Sequence, residues 1–160
     1  MDSFIWDKHF VTGLTEVDKQ HHHLVDVINQ FGELLTKQEG AAFNDIERVF
    51  GELAAYSQYH FAEEGSLMDL TGIDPRHQEH HRHEHVSFLQ EVTQMHAGIS
   101  PENPDSAKPL LKFLIYWLAY HILGSDQSMA KQVVAIQSGQ SAAAAYQAEE
   151  RMKEGAVEPL

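Results

Sequence analysis

Residues 77–85 read HQEHHRHEH, five histidines in nine positions of a chain that carries twelve. Imidazole is the commonest protein ligand for metals, so this stretch is either a solvated polar run or part of a metal site. Spacing favours the site. His81 and His85 stand four residues apart, as do His60 and Glu64 in HFAEE, and residues four apart share a helix face. His121 and Asp126, in HILGSD, stand five apart, and His21 follows Asp18-Lys19-Gln20. The chain has no cysteine, which excludes thiolate zinc sites, iron–sulfur clusters and thiol chemistry.

These side chains need elements to bring them together, and the hydrophobic pattern supplies long helices. After a short arm with Phe4, Ile5, Trp6 and Phe10, Thr15-Glu16-Val17-Asp18 reads as a helix start with capping-box character. Leu24, Val27, Ile28, Phe31, Leu34 and Leu35 then recur at helical spacing until Gly40 breaks the pattern. The spacing predicts a second helix from about Asn44 to Leu70, with Ile46, Val49, Phe50, Leu53 and Tyr56 as its stripe and Gly72 as its stop. Asp74-Pro75 is an N-cap followed by proline at the first helical position, opening a third helix that runs to about Ala97. Beyond the proline-rich loop SPENPDSAKP a fourth helix runs from about Ser106 to Gln137, bounded by Gly139. No segment alternates with period two. The expected fold is all-α, an up-down-up-down four-helix bundle over residues 1–137, with an N-terminal arm. Residues 138–160 then form a C-terminal helical tail, either a weakly amphipathic helix or a linker.

Composition agrees with one soluble domain: 160 residues, 42% hydrophobic and 22% charged. A formal net charge of -13 argues against nucleic acid and anionic membrane surfaces as partners. No signal peptide or membrane-spanning run is legible, so the expected location is cytoplasmic.

Helical geometry sorts the histidines. At about 100° per residue, the apolar residues Phe88, Leu89, Val92, Met95 and Ile99 average close to the direction of His81, and His85 lies about 40° from it. His80 and His83 lie about 100° and 160° away and are expected in solvent. His77 shares the inward direction but falls in the first turn, where the bundle end is expected to be open to water. His121 shares its face with Leu110, Leu114, Trp117 and Leu118. Singly, His60 with Glu64 could be a surface pair, and His21 part of a polar helix start. Depth argues otherwise. Starts of odd helices and later parts of even helices meet at one end of such a bundle, so His21, His60, Glu64, His81, His85 and His121 can converge at one level. Asp126 joins them only if the helix is distorted, because five residues turn an ideal helix by about 140°. A π-type i→i+5 hydrogen bond near residues 121–126 is therefore expected, eased by Gly124.

Five imidazoles and two carboxylates exceed one ion's needs and suit two ions about 3.5 Å apart. Such ligands favour iron, zinc, copper or nickel over calcium and magnesium. The Glu-x-x-His pattern of ferritin-like di-iron bundles is absent.

At this point the chain resembles the bacterial hemerythrins. Trp6, DKQHHHL at 18–24, HFAEEGSLM at 60–68, HRHEHVSF at 81–88 and WLAYHILGSD at 117–126 carry the likeness, in order and spacing, over roughly residues 4 to 130. The resemblance implies a non-heme di-iron centre. One iron would take His81, His85 and His121, and the other His21 and His60. Glu64, Asp126 and an oxo or hydroxo group would bridge them, with O2 as the ligand of the two-histidine iron. Leu24, Phe61, Phe88, Trp117 and Ile122 are the expected walls of the O2 pocket, each also readable simply as core. The chain departs from the usual pattern in a longer segment between Met68 and His81, in Gly65 after the glutamate, and in the extra His22, His23 and His77.

The resemblance supports several functions. It implies a binding domain rather than an enzyme, serving either O2 storage and delivery or O2 and redox sensing; an oxidase or peroxidase, or a zinc protein without O2 chemistry, are the remaining readings. Bacterial hemerythrin domains often lie N-terminal to signalling modules such as diguanylate cyclases, joined by a helical linker. The tail resembles such a linker and favours the sensor, with an output domain or a second copy of the chain as its partner.

Overall fold

The computed structural model describes residues 3–37 and 42–157. Gly40 and the last three residues of the terminal Val-Glu-Pro-Leu lie outside them. Among the described residues, six α-helices follow a short 3-10 turn at Lys8–Phe10: α1 Thr15–Leu35, α2 Phe43–Thr71, α3 Pro75–Ala97, α4 Lys108–His121, α5 Gln127–Gln137 and α6 Ala142–Val157. A second 3-10 turn, Pro104–Ala107, leads into α4, and a π-helical segment, Ile122–Asp126, joins α4 to α5. Taken together, α4, the π segment and α5 are the expected fourth helix. α1 and α3 each pack against both α2 and α4, which closes the four-helix bundle. No strand occurs among the described residues. No helix among them is long and apolar enough to cross a membrane.

Local chemistry sets the helix ends. Gly72, at φ 78°, takes the left-handed conformation that ends α2, while Ile73 N–H returns to the Met68 carbonyl at 3.0 Å. Asp74 then caps α3 by accepting from Arg76 N–H at 2.9 Å, and Pro75 takes the first turn. The capping box expected at Thr15 does not form. Leu14 occupies the cap position and makes no side-chain bond. Asp18 instead accepts from the backbone N–H groups of Thr12 (2.9 Å) and Gly13 (3.1 Å) and from the Thr12 hydroxyl (2.8 Å). Gly13, at φ 87°, turns the entering chain so that these donors face Asp18.

The apolar interior is in two parts. The larger runs from Phe4 and Phe10 through Leu24, Ile28, Phe31, Ile46, Leu53, Phe88 and Leu114 to Ile122. The smaller consists of Val17, Met68, Ile73, Met129 and Val133. All four helical segments of the bundle pass from one cluster to the other, and the buried residues between the clusters are polar. Val17 and Leu24 flank His21, and Leu53 and Met68 flank His60 and Glu64. Ile73 and Phe88 flank His81 and His85, while Leu118 and Met129 flank His121 and Asp126.

The tail does not extend from the bundle. Gly139, at φ 106°, reverses the chain after α5, and α6 packs back against α5 with Ala145 2% exposed. Tyr146 of α6 lies under the Arg76 guanidinium, 4.3 Å from ring centroid to carbon.

Candidate metal centre

The seven residues singled out by spacing converge. His21, His60, Glu64, His81, His121 and Asp126 are at most 3% exposed, and His85 is 6% exposed. Their metal-capable atoms fall into two overlapping groups, each with all atoms within 4.8 Å of one another: Glu64, His81, His85, His121 and Asp126, and His21, His60, Glu64 and Asp126. His60 and Glu64 are therefore not a surface pair, and His21 is not part of a solvated helix start.

The π segment brings Asp126 in. Gln127 N–H donates to the Ile122 carbonyl five residues back, the extra residue that a five-residue spacing requires. His121 Nε2 then stands 3.3 Å from Asp126 Oδ1. Gly124 is not demanded by its own conformation, since its φ is not in the left-handed region. A Cβ there would meet nothing within 4 Å.

The two carboxylates divide their oxygens between two sets of imidazoles. Glu64 Oε1 lies 3.3 Å from His81 Nε2 and 3.2 Å from His85 Nε2. Its Oε2 lies 3.3 Å from His60 Nε2 and 3.6 Å from His21 Nε2. Asp126 Oδ1 lies 3.1 Å from His81 Nε2, and Oδ2 lies 2.9 Å from His21 Nε2. Buried ionic and polar groups must be paired or bound to metal to repay their lost hydration. Here His21 Nε2, His60 Nε2, Glu64 Oε2 and both Asp126 oxygens are fully buried and, though close to one another, are not joined by well-directed hydrogen bonds. The donor set is imidazole and carboxylate only, so the residues fit borderline divalent ions.

Electrostatics reflect this crowding. Burial pulls the imidazoles of His21 and His81 down, but Asp126 and Glu64 overcome it and raise both to about 9. His121, buried but beside the Asp126 charge, rises to about 10. His85 has lost more to burial than Glu64 returns and falls to about 4. Glu64 and Asp126 are held below the usual carboxylate range: burial works to raise them, and the surrounding histidines outweigh it.

Outer partners that spacing did not reveal hold several imidazoles. Gln20 Oε1 accepts from His60 Nδ1 at 2.6 Å. Glu84 accepts from the Ser125 hydroxyl and approaches His121 Nδ1 at 3.7 Å. The i, i+4 relation of His77 to His81 was a signal, but its place in the first turn pointed to solvent. His77 is in fact 4% exposed, its ring set between His81 and Gln132 of α5. His80 and His83 are exposed, as their directions predict.

Apolar rings cover the cluster on the larger core's side. Phe61 stacks on His85 with centroids 3.8 Å apart and planes 9° apart, and Trp117 stacks on His121 at 4.4 Å and 14°. A cavity of about 10 Å³ lies between Leu24, Phe61, Phe88 and Trp117, with Leu53 and Leu114 nearby. Ile122 does not line it; the side chain is wholly buried elsewhere in the core. Phe61 and His85 also line an open groove of about 730 Å³ between α2 and α3.

The sequence pattern described as the hemerythrin HHE cation binding domain matches residues 12–133. The chain is 28% identical over 126 residues to a bacteriohemerythrin of Clostridium acetobutylicum, covering 78% of this chain and 96% of that protein. It is 28% identical over 135 residues to one from Stenotrophomonas maltophilia, covering 84% of each. A bacteriohemerythrin of Pseudomonas aeruginosa is 29% identical over 126 residues, covering 79% of this chain and 78% of that protein.

Proposed function

The chain belongs to the hemerythrin family of HHE cation-binding domains, and on that premise we propose that its buried cluster holds two iron ions and binds O2 reversibly. The division of the carboxylate oxygens carries this reading. His81, His85 and His121 would hold one iron and His21 and His60 the other, with Glu64 and Asp126 each giving one oxygen to either side. The side with two histidines is one ligand short of the other, which makes it the place for O2. Held by these residues, two ferrous ions would supply the electrons for reversible O2 binding.

The chain's own residues do the rest. Gln20 keeps the proton of His60 on Nδ1 and so leaves Nε2 free for metal. Phe61 and Trp117, flat against His85 and His121, exclude water from the ligand face. The apolar cavity of about 10 Å³ has room for a molecule of water's size, not an organic substrate.

Loading the protein anaerobically with ferrous iron and recording the visible spectrum before and after admitting air tests this. A charge-transfer band that fades under vacuum is the expected result. Failure to take up iron, or immediate passage to a stable diferric spectrum, would defeat reversible binding; the second outcome favours redox sensing or oxidase chemistry.

For the use made of O2, we favour sensing through the tail. In support, α6 lies beyond the family match, packs on α5, and reaches the start of α3, the helix of His81 and His85, through Tyr146 and Arg76. A signalling output domain or a second copy would then read the position of α6. Hydrogen exchange beyond residue 137 should differ between the diferrous and oxidised states. Equal exchange would leave O2 storage or delivery as the reading.

A further inference from the structure

His77 is a buried imidazole that the metal-centre reading does not use. Its Nε2 lies 3.1 Å from Nδ1 of His81, and its Nδ1 lies 3.1 Å from the amide nitrogen Nε2 of Gln132, whose buried Oε1 has no hydrogen-bond partner. Gln132, on α5, is 1% exposed, and its amide also stands 3.3 Å from the Ser128 hydroxyl. The chain of contacts therefore runs from the face of His81 remote from the cluster, through α3, to the interior of α5.

Chemistry fixes the direction of these bonds once His81 Nε2 is committed to a metal. The remaining proton of His81 sits on Nδ1 and must be donated, and His77 Nε2 is the acceptor within reach. His77 then carries its own proton on Nδ1 and donates it to the amide oxygen of Gln132. Which end of a glutamine amide is oxygen follows from its partners, and here that donor calls for oxygen toward His77, which exchanges the amide oxygen and nitrogen and gives the unpartnered oxygen a donor. A metal-bound imidazole whose other nitrogen donates to a fixed acceptor is held in one tautomer and orientation and is a stronger ligand. At the same end of α3, Arg76, paired with Asp74 at 2.9 and 3.0 Å, lies over Tyr146 of α6.

We propose that His77 and Gln132 are positioning residues for the metal centre, forming a relay, His81 Nδ1–H to His77 Nε2 and His77 Nδ1–H to Gln132, that fixes His81 as a ligand and ties it to α5. The proposal rests on the metal-centre reading. It adds that one of the three histidines on the more fully liganded side is braced from outside by side chains on α3 and α5, the latter being the helix that α6 packs against.

The test is the rate at which iron-loaded protein gives up ferrous iron to a chelator, for the wild type and for His77→Phe, His77→Gln and Gln132→Leu. Phenylalanine fills the space without accepting a hydrogen bond, whereas glutamine can both accept and donate. Iron loss should be about 10–100-fold faster in His77→Phe, faster in Gln132→Leu, and close to the wild-type rate in His77→Gln. Melting of the apoproteins separates folding defects from ligand defects, and Gln132→Leu carries the test where His77→Phe does not fold. Wild-type rates in both His77→Phe and Gln132→Leu would overturn the relay alone. A His77→Gln variant as leaky as His77→Phe would reduce His77 to packing and overturn it equally. A wild type that takes up no ferrous iron would overturn the metal-centre reading itself.

Discussion

Nε2 of His21 lies 2.9 Å from Oδ2 of Asp126, joining the second turn of α1 to the end of the π segment. The other Asp126 oxygen faces His81 and His121, so this one carboxylate touches imidazoles from three helices. Asp126→Asn preserves the shape and removes both the charge and one oxygen acceptor. Iron bound per chain, measured after gel filtration, should fall from two to one or none. Retention of both irons with an unaltered spectrum would remove Asp126 from the ligand set.

The π segment makes a prediction about length rather than chemistry. Deleting Gly124 leaves the histidine and the aspartate four residues apart on a regular α-helix, about 40° apart in direction, and should preserve iron binding. Inserting one alanine after Gly124 turns them about 120° apart and should abolish it. Gly124→Ala should bind iron normally and stabilise the helix by about 0.5–1 kcal/mol, since its φ is ordinary and its Cβ space is open. Urea unfolding of the apoproteins, with iron counts of the loaded ones, checks all three.

The pH dependence of the apoprotein should run opposite to that of metal uptake. His21 and His81 are raised to about 9 and His121 to about 10, despite burial, by Asp126 and Glu64. A raised folded pKa gives stability that is complete below the unfolded value near 6.5 and disappears as pH climbs through 9 to 10. Apoprotein unfolding midpoints should therefore drop between pH 7 and 10. Below pH 6.5, His77 and His85, both lowered to about 4 chiefly by burial, favour the unfolded state and should lower the midpoint again. Iron must displace the protons of His21, His81 and His121, so its binding should tighten from pH 7 to 9. Midpoints that stay flat or rise over that alkaline range would contradict the charged imidazole–carboxylate cluster.

Phe61 lines both the internal cavity and the outer groove, and so stands as the partition between them. Phe61→Ala should join the two spaces and admit water to His85. The O2-dependent visible band should then form faster and decay sooner to the diferric spectrum. Unchanged decay would mean that water reaches the centre by another route.

Gly72 should tolerate substitution poorly. At φ 78° an L-residue is strained, so Gly72→Ala should cost about 1 kcal/mol in apoprotein stability. Because the turn sets the start of α3, it should also slow iron uptake. A melting temperature equal to the wild type would show that the α2–α3 turn is free to rearrange.

Much of the site was legible because helical periodicity is a local property. A hydrophobic stripe states which way each neighbour points, and this was enough to turn His81 and His85 inward and leave His80 and His83 in solvent. The five-residue spacing of His121 and Asp126 even demanded the π segment, since a regular helix would have sent one of them away. Helix ends were readable where glycine or aspartate acts on its immediate neighbours, as at Gly72 and Asp74. The start of α1 at Thr15 was readable too, but its capping was not, because Asp18 is satisfied by a turn at Thr12 and Gly13 whose direction depends on how the arm packs.

Tertiary structure decided what depends on residues remote in sequence. His77 is buried against Gln132 of α5, and nothing near His77 in the sequence encodes that contact. Gln20, Glu84 and Gln132 find their imidazole partners across helix interfaces, where rotation and depth of the helices set the contact. The same holds for the sharing of Glu64 and Asp126 between two sets of histidines. The sequence determined which side chains could bind metal and which way each faces along its own helix, because both are settled within a few turns of backbone. Their division into two overlapping groups, and the burial of His77 against Gln132, were decided only when four helices packed at fixed rotation and depth.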